Sequence, residues 1–229
     1  MMRKDLDDRS LPTVMAKFNF LGSDESPDRD LSTDKREAIL AGAMQEFLEH
    51  GYAGARVDRL VKAAGVSKAT VYRHFPDKEA LFVALIQKMA ARKELFRQQN
   101  FHPDQQEPAE FLKQYALGMM ENVVEDPQIL TFLRIILGES GRFPQLARAF
   151  VNNIEKQSLD CLTNYFATHP ELQVADPEVT ARTFIGTLMH FVILRDLLQS
   201  GDIVPMERDR LLDSLLAIIL RPSVPAGKF

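Results

Sequence analysis

Several things this sequence lacks exclude whole classes of protein. No apolar run approaches the roughly 18 residues that a membrane-spanning helix needs, so no membrane partner is expected. The start, MMRKDLDDRSLPTV, is charged but has neither an apolar core nor a small-residue cleavage site, and no secretory leader is expected there. A single cysteine, Cys161, excludes an intrachain disulfide and suits a reducing cytoplasm. Lying between Leu159 and Leu162, it reads as a small buried hydrophobe. Catalytic motifs are missing as well: there is no GxSxG, no P-loop and no HExxH. The histidines at 50, 74, 102, 169 and 190 have no helical metal spacing. No enzyme, cofactor or metal site is expected. Strand alternation sustained over several segments, internal repeats and long low-complexity tracts are also absent, which leaves an all-α reading.

What the 229 residues do contain is unevenly distributed. The net charge of −4 divides into −2 for residues 1–32, +4 for 33–98 and −6 for 99–229. A basic segment inside an acidic chain points to a polyanionic partner for that segment. Residues 1–32 are rich in Ser, Asp, Gly and Pro and read as a flexible tail. From Thr33 a helical period begins, with Ser32 or Thr33 as N-cap and Glu37 in the first turn. Ile39, Ala43 and Phe47 form its apolar stripe beside Leu40 and Met44, and Gly51 ends it. A short helix VDRLVKAA follows, closed by Gly65, then KATVYRHF with Ser67 as N-cap and Pro76 as stop. Asp77 caps a long helix reaching about residue 99. Breaks at Pro, Gly and Asp-Pro positions delimit five more helices, at about 108–125, 127–138, 145–168, 177–199 and 206–220.

Two short helices joined by a glycine turn, VDRLVKAAGVSKATVYRHF, fit a helix-turn-helix unit. Val71 and Phe75, four apart, face the core and Val66 anchors the turn. Lys68, Ala69, Tyr72 and Arg73 are then left on the open face, with Thr70 and His74 on the flanks. A recognition helix needs this arrangement, because its N-terminal residues approach base edges while basic and hydroxyl groups hold phosphates. Spacing alone leaves open a plain three-helix unit with a solvated basic face.

The residues go further than the spacing. GYAGARVDRLVKAAGVSKATVYRHFPDKEALF resembles the DNA-binding domain of the TetR/AcrR family of bacterial transcriptional regulators. The string GVSxxTxYxHFxxKxxL carries the likeness through Gly65, Val66, Ser67, Thr70, Tyr72, His74, Phe75, Lys78 and Leu81. The resemblance implies a DNA-binding domain over 33–82 and a helical ligand-binding and dimerisation domain over 83–229. It implies Ser67, Lys68 and Thr70 in the major groove, and Tyr72, His74 and Lys78 on phosphates. One departure stands out: the Thr or Ser that usually caps the second helix is replaced by Ala55 and Arg56. The lost cap is worth about 1 kcal/mol, and Arg56 is expected to meet phosphate as a charge instead.

LGESGRFPQLARAF is similar to the effector domains of AcrR-like members, and the family places an inducer pocket between residues 108 and 199. Candidate lining residues are Tyr115, Met119, Phe132, Ile136, Phe150, Phe166 and Phe184, with Asn122, Arg134 and His190 as polar groups. Each could equally belong to an ordinary core. The two last long helices carry apolar residues on more than one face, which suggests pairing across a homodimer through Phe191, Leu194, Leu198, Leu211, Leu215 and Ile218. The expectation is a cytoplasmic, nucleoid-associated repressor. It would be released from a palindromic operator by a small hydrophobic or amphipathic effector. Two alternatives stay open: a helical small-molecule-binding protein without an operator, and an activator on the same fold.

Overall fold

The computed structural model describes residues 31–100, 106–124 and 126–220, and every regular element among them is helical. Residues 1–30 of the expected tail lie outside these residues, as do the side chains of Ser32 and Asn122. Ten α-helices follow in order: α1 (Leu31–Gly54), α2 (Val57–Ala64), α3 (Lys68–His74), α4 (Lys78–Asn100), α5 (Pro108–Val124), α6 (Pro127–Glu139), α7 (Pro144–Phe150), α8 (Lys156–Thr168), α9 (Pro177–Val192) and α10 (Arg208–Ile219). No described helix is long and apolar enough to cross a membrane.

Local chemistry accounts for most of the boundaries. α1 begins at Leu31, so Ser32 and Thr33 fall inside its first turn instead of capping it. Its helical path breaks at Gly51, where φ is 65°. α6 and α9 each start with proline at N1 behind an aspartate cap. Asp126 accepts from the Gln128 N–H, and Asp176 from those of Glu178 and Val179. The helix expected over 145–168 is continuous in space but contains a π turn at Val151–Glu155, which separates α7 from α8. A second π turn, Ile193–Leu197, ends α9. Such turns accommodate one extra residue per turn and leave no signature in apolar periodicity.

The apolar stripes assemble two cores. The first contains Ile39, Leu40, Ala43, Met44 and Phe47 of α1, Leu60 of α2 and Val71 of α3. α4 adds Leu81, Phe82, Leu85 and Ile86, while Phe132 and Ile136 come from α6 and Leu146 from α7. A domain boundary at 82/83 therefore runs through this core instead of around it. Phe82 stacks on Phe132 with ring centres 4.4 Å apart, and Tyr52 meets Phe143 edge-on at 4.8 Å. The second core draws on α5, α8, α9 and α10, with Phe111, Tyr115, Tyr165, Phe166 and Phe184 at its centre.

This second core changes the expected dimer surface. Phe191 and Leu215 are buried within the chain itself, because α9 turns its 181/184/188/191 face onto its own neighbours. Leu194 and Leu211 are half-buried, and only Leu198 and Ile218 of that set are exposed. The outward stripe of α9 is instead Val179, Arg182, Thr183, Gly186 and His190.

Candidate nucleic-acid interface

α2 lies directly against α1, and Gly42 makes this possible. A Cβ there would come within 3.0 Å of both the Cβ and the N of Ala64, and within 3.1 Å of the Leu60 carbonyl. Leu60 is buried on the inner side of α2, while Val57, Val61 and Ala64 pack at the edge. Gly65 then adopts a left-handed conformation (φ 63°, ψ 26°), which turns the chain sharply into α3. Ser67 caps α3: its Oγ accepts from the Thr70 N–H at 3.1 Å and lies 2.8 Å from the Thr70 hydroxyl.

Burial along α3 follows the helical period. Val71 and Phe75 are buried, Lys68, Ala69, Tyr72 and Arg73 are exposed, and Thr70 and His74 are half-buried. Tyr72, at 47% exposure, presents a large ring to solvent that the core does not need. Lys68 holds Asp58 of α2 at 2.7 Å, an exposed pair that raises the lysine pKa and lowers that of the aspartate through their hydrogen bond. His74 turns its Nε2 inward, where it has no hydrogen-bond partner.

The missing cap before α2 is visible. Arg56 occupies the N-cap position in extended conformation, and its side chain makes no capping bond. Glu46 of α1 grips this corner instead. It accepts from the Arg56 N–H at 2.8 Å and from Arg59 Nε at 2.8 Å, with His50 Nδ1 at 3.3 Å. Burial pushes the Glu46 carboxyl up, but the bonds from Arg59 and Arg56, with the His50 and Arg59 charges, bring it below its usual value. Arg59 Nη2 also donates to the Gly54 carbonyl at 2.7 Å. The Arg56 side chain itself stays exposed at the start of α2. The sequence does not announce the grip on the start of α2, because Arg56 and Arg59 lie 10 and 13 residues from Glu46 and outside α1.

Lys78 is placed differently from the exposed cations. Its Nζ donates to the Tyr52 carbonyl at 2.6 Å, with those of Ala53 and Ala55 at 3.4 and 3.5 Å. It also lies 4.5 Å from the centre of the Tyr52 ring.

The residues expected around an effector separate between the two cores. Phe132, Ile136 and Phe150 belong to the first, and Tyr115, Met119, Phe166 and Phe184 to the second. Arg134 is exposed and donates through Nη2 to the Asp196 and Leu197 carbonyls, both at 3.1 Å, so it ties α6 to the end of α9. His190 is exposed on the outer stripe of α9, which corrects its expected place among the interior polar groups. The helical period puts it there, one turn beyond Gly186. Among the described residues no cluster of His, Cys, Asp or Glu could hold a metal ion.

Two family models match consecutive parts of the chain. Residues 39–85 match "Bacterial regulatory proteins, tetR family", and residues 110–222 match "AefR-like transcriptional repressor, C-terminal domain". The HTH-type transcriptional repressor AcnR of Corynebacterium glutamicum is 51% identical over 63 residues, 28% of this chain and 34% of that protein. The match thus spans about a third of the repressor's length. Among solved structures, a TetR-family regulator from Mesorhizobium loti superposes with a TM-score of 0.69 at 23% identity, covering 84% of this chain and 98% of that one. That likeness concerns the fold. The flavonoid-responsive regulator FrrA superposes with a TM-score of 0.63 at 27% identity, covering 82% and 96%.

Proposed function

The chain belongs to the TetR family of bacterial regulatory proteins, and on that premise we propose that it is a dimeric repressor of transcription. It binds double-stranded operator DNA through α2 and α3, and a small hydrophobic or amphipathic effector releases it. The observation that carries this reading is the division of α3 into a buried edge, Val71 and Phe75, and an exposed face of Lys68, Ala69, Tyr72 and Arg73. Ser67, Lys68 and Thr70 enter the major groove, where small and polar groups at a helix start can reach base edges. Tyr72, Arg73 and Arg56 hold phosphates at the rim, with the outer edge of His74 beside them.

Two copies pair through the outward stripe of α9 and the exposed Ile218 of α10. Gly186 lies on that stripe with open space where a Cβ would be, which suits close approach of a second helix. Twofold pairing implies a palindromic operator with half-sites about 34 Å apart, or a multiple of that. An apolar effector is supported by the half-buried Met119, Leu130 and Leu159 at the edge of one core and Phe150 and Ile154 at the edge of the other. FrrA, a structural neighbour, is described as flavonoid-responsive. Effector binding reaches α3 through α4 and α6. α6 is tied to the end of α9 by Arg134, and through Glu139 to the Ala53 N–H at the end of α1.

Footprinting on the DNA beside the protein's own gene tests the reading. The expected result is one protected palindrome, lost in Tyr72→Ala and Arg73→Ala. A chain that binds no duplex DNA even at low salt overturns it. Linkage adds a second requirement: an effector that weakens operator binding must itself bind more weakly when the operator is present.

A further inference from the structure

We propose that Lys78 is a positioning residue and not a phosphate ligand: its ammonium locks the joint Tyr52–Ala55 between α1 and α2, and so fixes how α2 and α3 are presented. The proposal rests on the reading of α3 as a DNA-binding helix.

The last carbonyls of a helix have no partner within it and carry the negative end of its dipole. After the break at Gly51, the carbonyls of Tyr52, Ala53 and Ala55 all turn toward Lys78 Nζ, with the short bond to Tyr52. An ammonium has three N–H donors. A phosphate could take one only by removing it from this ring of carbonyls and from the face of Tyr52. Arg56, Lys68 and Arg73 face no such loss, since all three are exposed, and Lys68 is paired only with an exposed aspartate that can release it. Burial holds the Lys78 ammonium below the usual lysine value against the opposing charge of Glu139, and burial raises the Tyr52 phenol to about 12.

The same joint is gripped from its other side. The Ala53 N–H donates to Glu139 Oε1 at 3.3 Å, and Phe143 packs on the Tyr52 ring. Gln145 donates to Glu79, the residue after Lys78, at 3.1 Å. The joint therefore lies between the first turn of α4 and the turn joining α6 to α7. Two residues after Gly54, α2 begins with the Glu46 clasp at Arg56. A shift at the joint is passed directly to α2 and α3.

Salt dependence separates the two roles. Binding to a mixed-sequence DNA duplex several helical turns long is measured for the full chain, Arg73→Met, Lys78→Met and Lys78→Gln. Removing one phosphate-binding charge lowers the slope of log K against log salt by about 0.9. Arg73→Met, which removes an exposed charge placed on phosphate, is expected to show that fall. Both Lys78 variants are expected to keep the full slope while binding more weakly at every salt concentration, by about tenfold for Met. Gln loses less, because its amide still donates to the Tyr52 carbonyl. Amide exchange at Ala53 and Arg56 quickens in both, which removal of a phosphate ligand would not cause. If Lys78→Met does not fold, the slope of Lys78→Gln decides alone. A slope that falls in Lys78→Gln, or an affinity that does not, overturns the proposal. If the unaltered chain shows no salt-dependent binding, the DNA-binding reading fails and this proposal fails with it.

Discussion

Among the described residues two aromatic cores of similar make-up form, and one of them follows the order of the chain while the other does not. The second gathers Phe111, Tyr115, Tyr165, Phe166 and Phe184 from helices that all lie after residue 107. The first begins in α1 but is completed by Phe132, Ile136 and Leu146, from α6 and α7. The DNA-binding motif is thus contiguous in sequence while the core beneath it is not. On the proposed function, a displacement of α6 would reach α3 through this shared packing.

Substitutions in the two cores can break this comparison. Phe132→Ala and Phe184→Ala each remove a fully buried ring and should cost about 3–5 kcal/mol in chemical unfolding. At temperatures where both remain folded, Phe132→Ala should also weaken duplex binding and expose α1 amides to exchange, whereas Phe184→Ala should do neither. Equal effects on DNA binding would mean that the two cores act as one.

A smaller effect is expected at the Glu46 clasp, which belongs to the first core's edge. Glu46→Gln should cost about 1–2 kcal/mol, since the bonds to Arg59 and Arg56 lose their charged acceptor. The folded carboxyl lies below its ordinary 4.5, so its stabilisation is fully present above that value and is lost as pH falls through the lower folded value. The variant should therefore show a flatter acid limb in thermal unfolding measured across that window. An unchanged limb would mean that the clasp contributes nothing to acid stability.

The smallest effect is at the surface. Asp58→Asn frees Lys68 and removes a negative charge from the proposed DNA face, so duplex affinity should rise, within about fivefold at low salt. Weaker binding on filter or gel assay would show that the pair orients Lys68 productively.

Much of the candidate interface is legible in the sequence because it is local. Ser67 caps α3 by a bond to a residue three positions on, Gly65 turns the chain, and Val71 and Phe75 share a face by simple periodicity. The proposed dimer face is less legible. Apolar residues on several sides of α9 show that it must be covered, but do not say whether its own chain or a second copy covers it. Phe191 and Leu215 are covered from within. His190 escapes a sequence reading for a related reason, since a histidine among apolar letters gives no indication of which side of the helix faces out.

The all-helical architecture, the helix-turn-helix unit and the residues that α3 exposes all follow from the order of residues, because caps, turns and a period of 3.6 are local properties. The roles of Glu46 and Lys78 emerge only once the helices are packed. Their partners include main-chain groups outside their own helices, reached across 10 and 26 residues. Peptide N–H and C=O groups are the same at every position, so nothing in the order of side chains marks where a carboxylate or an ammonium will find them.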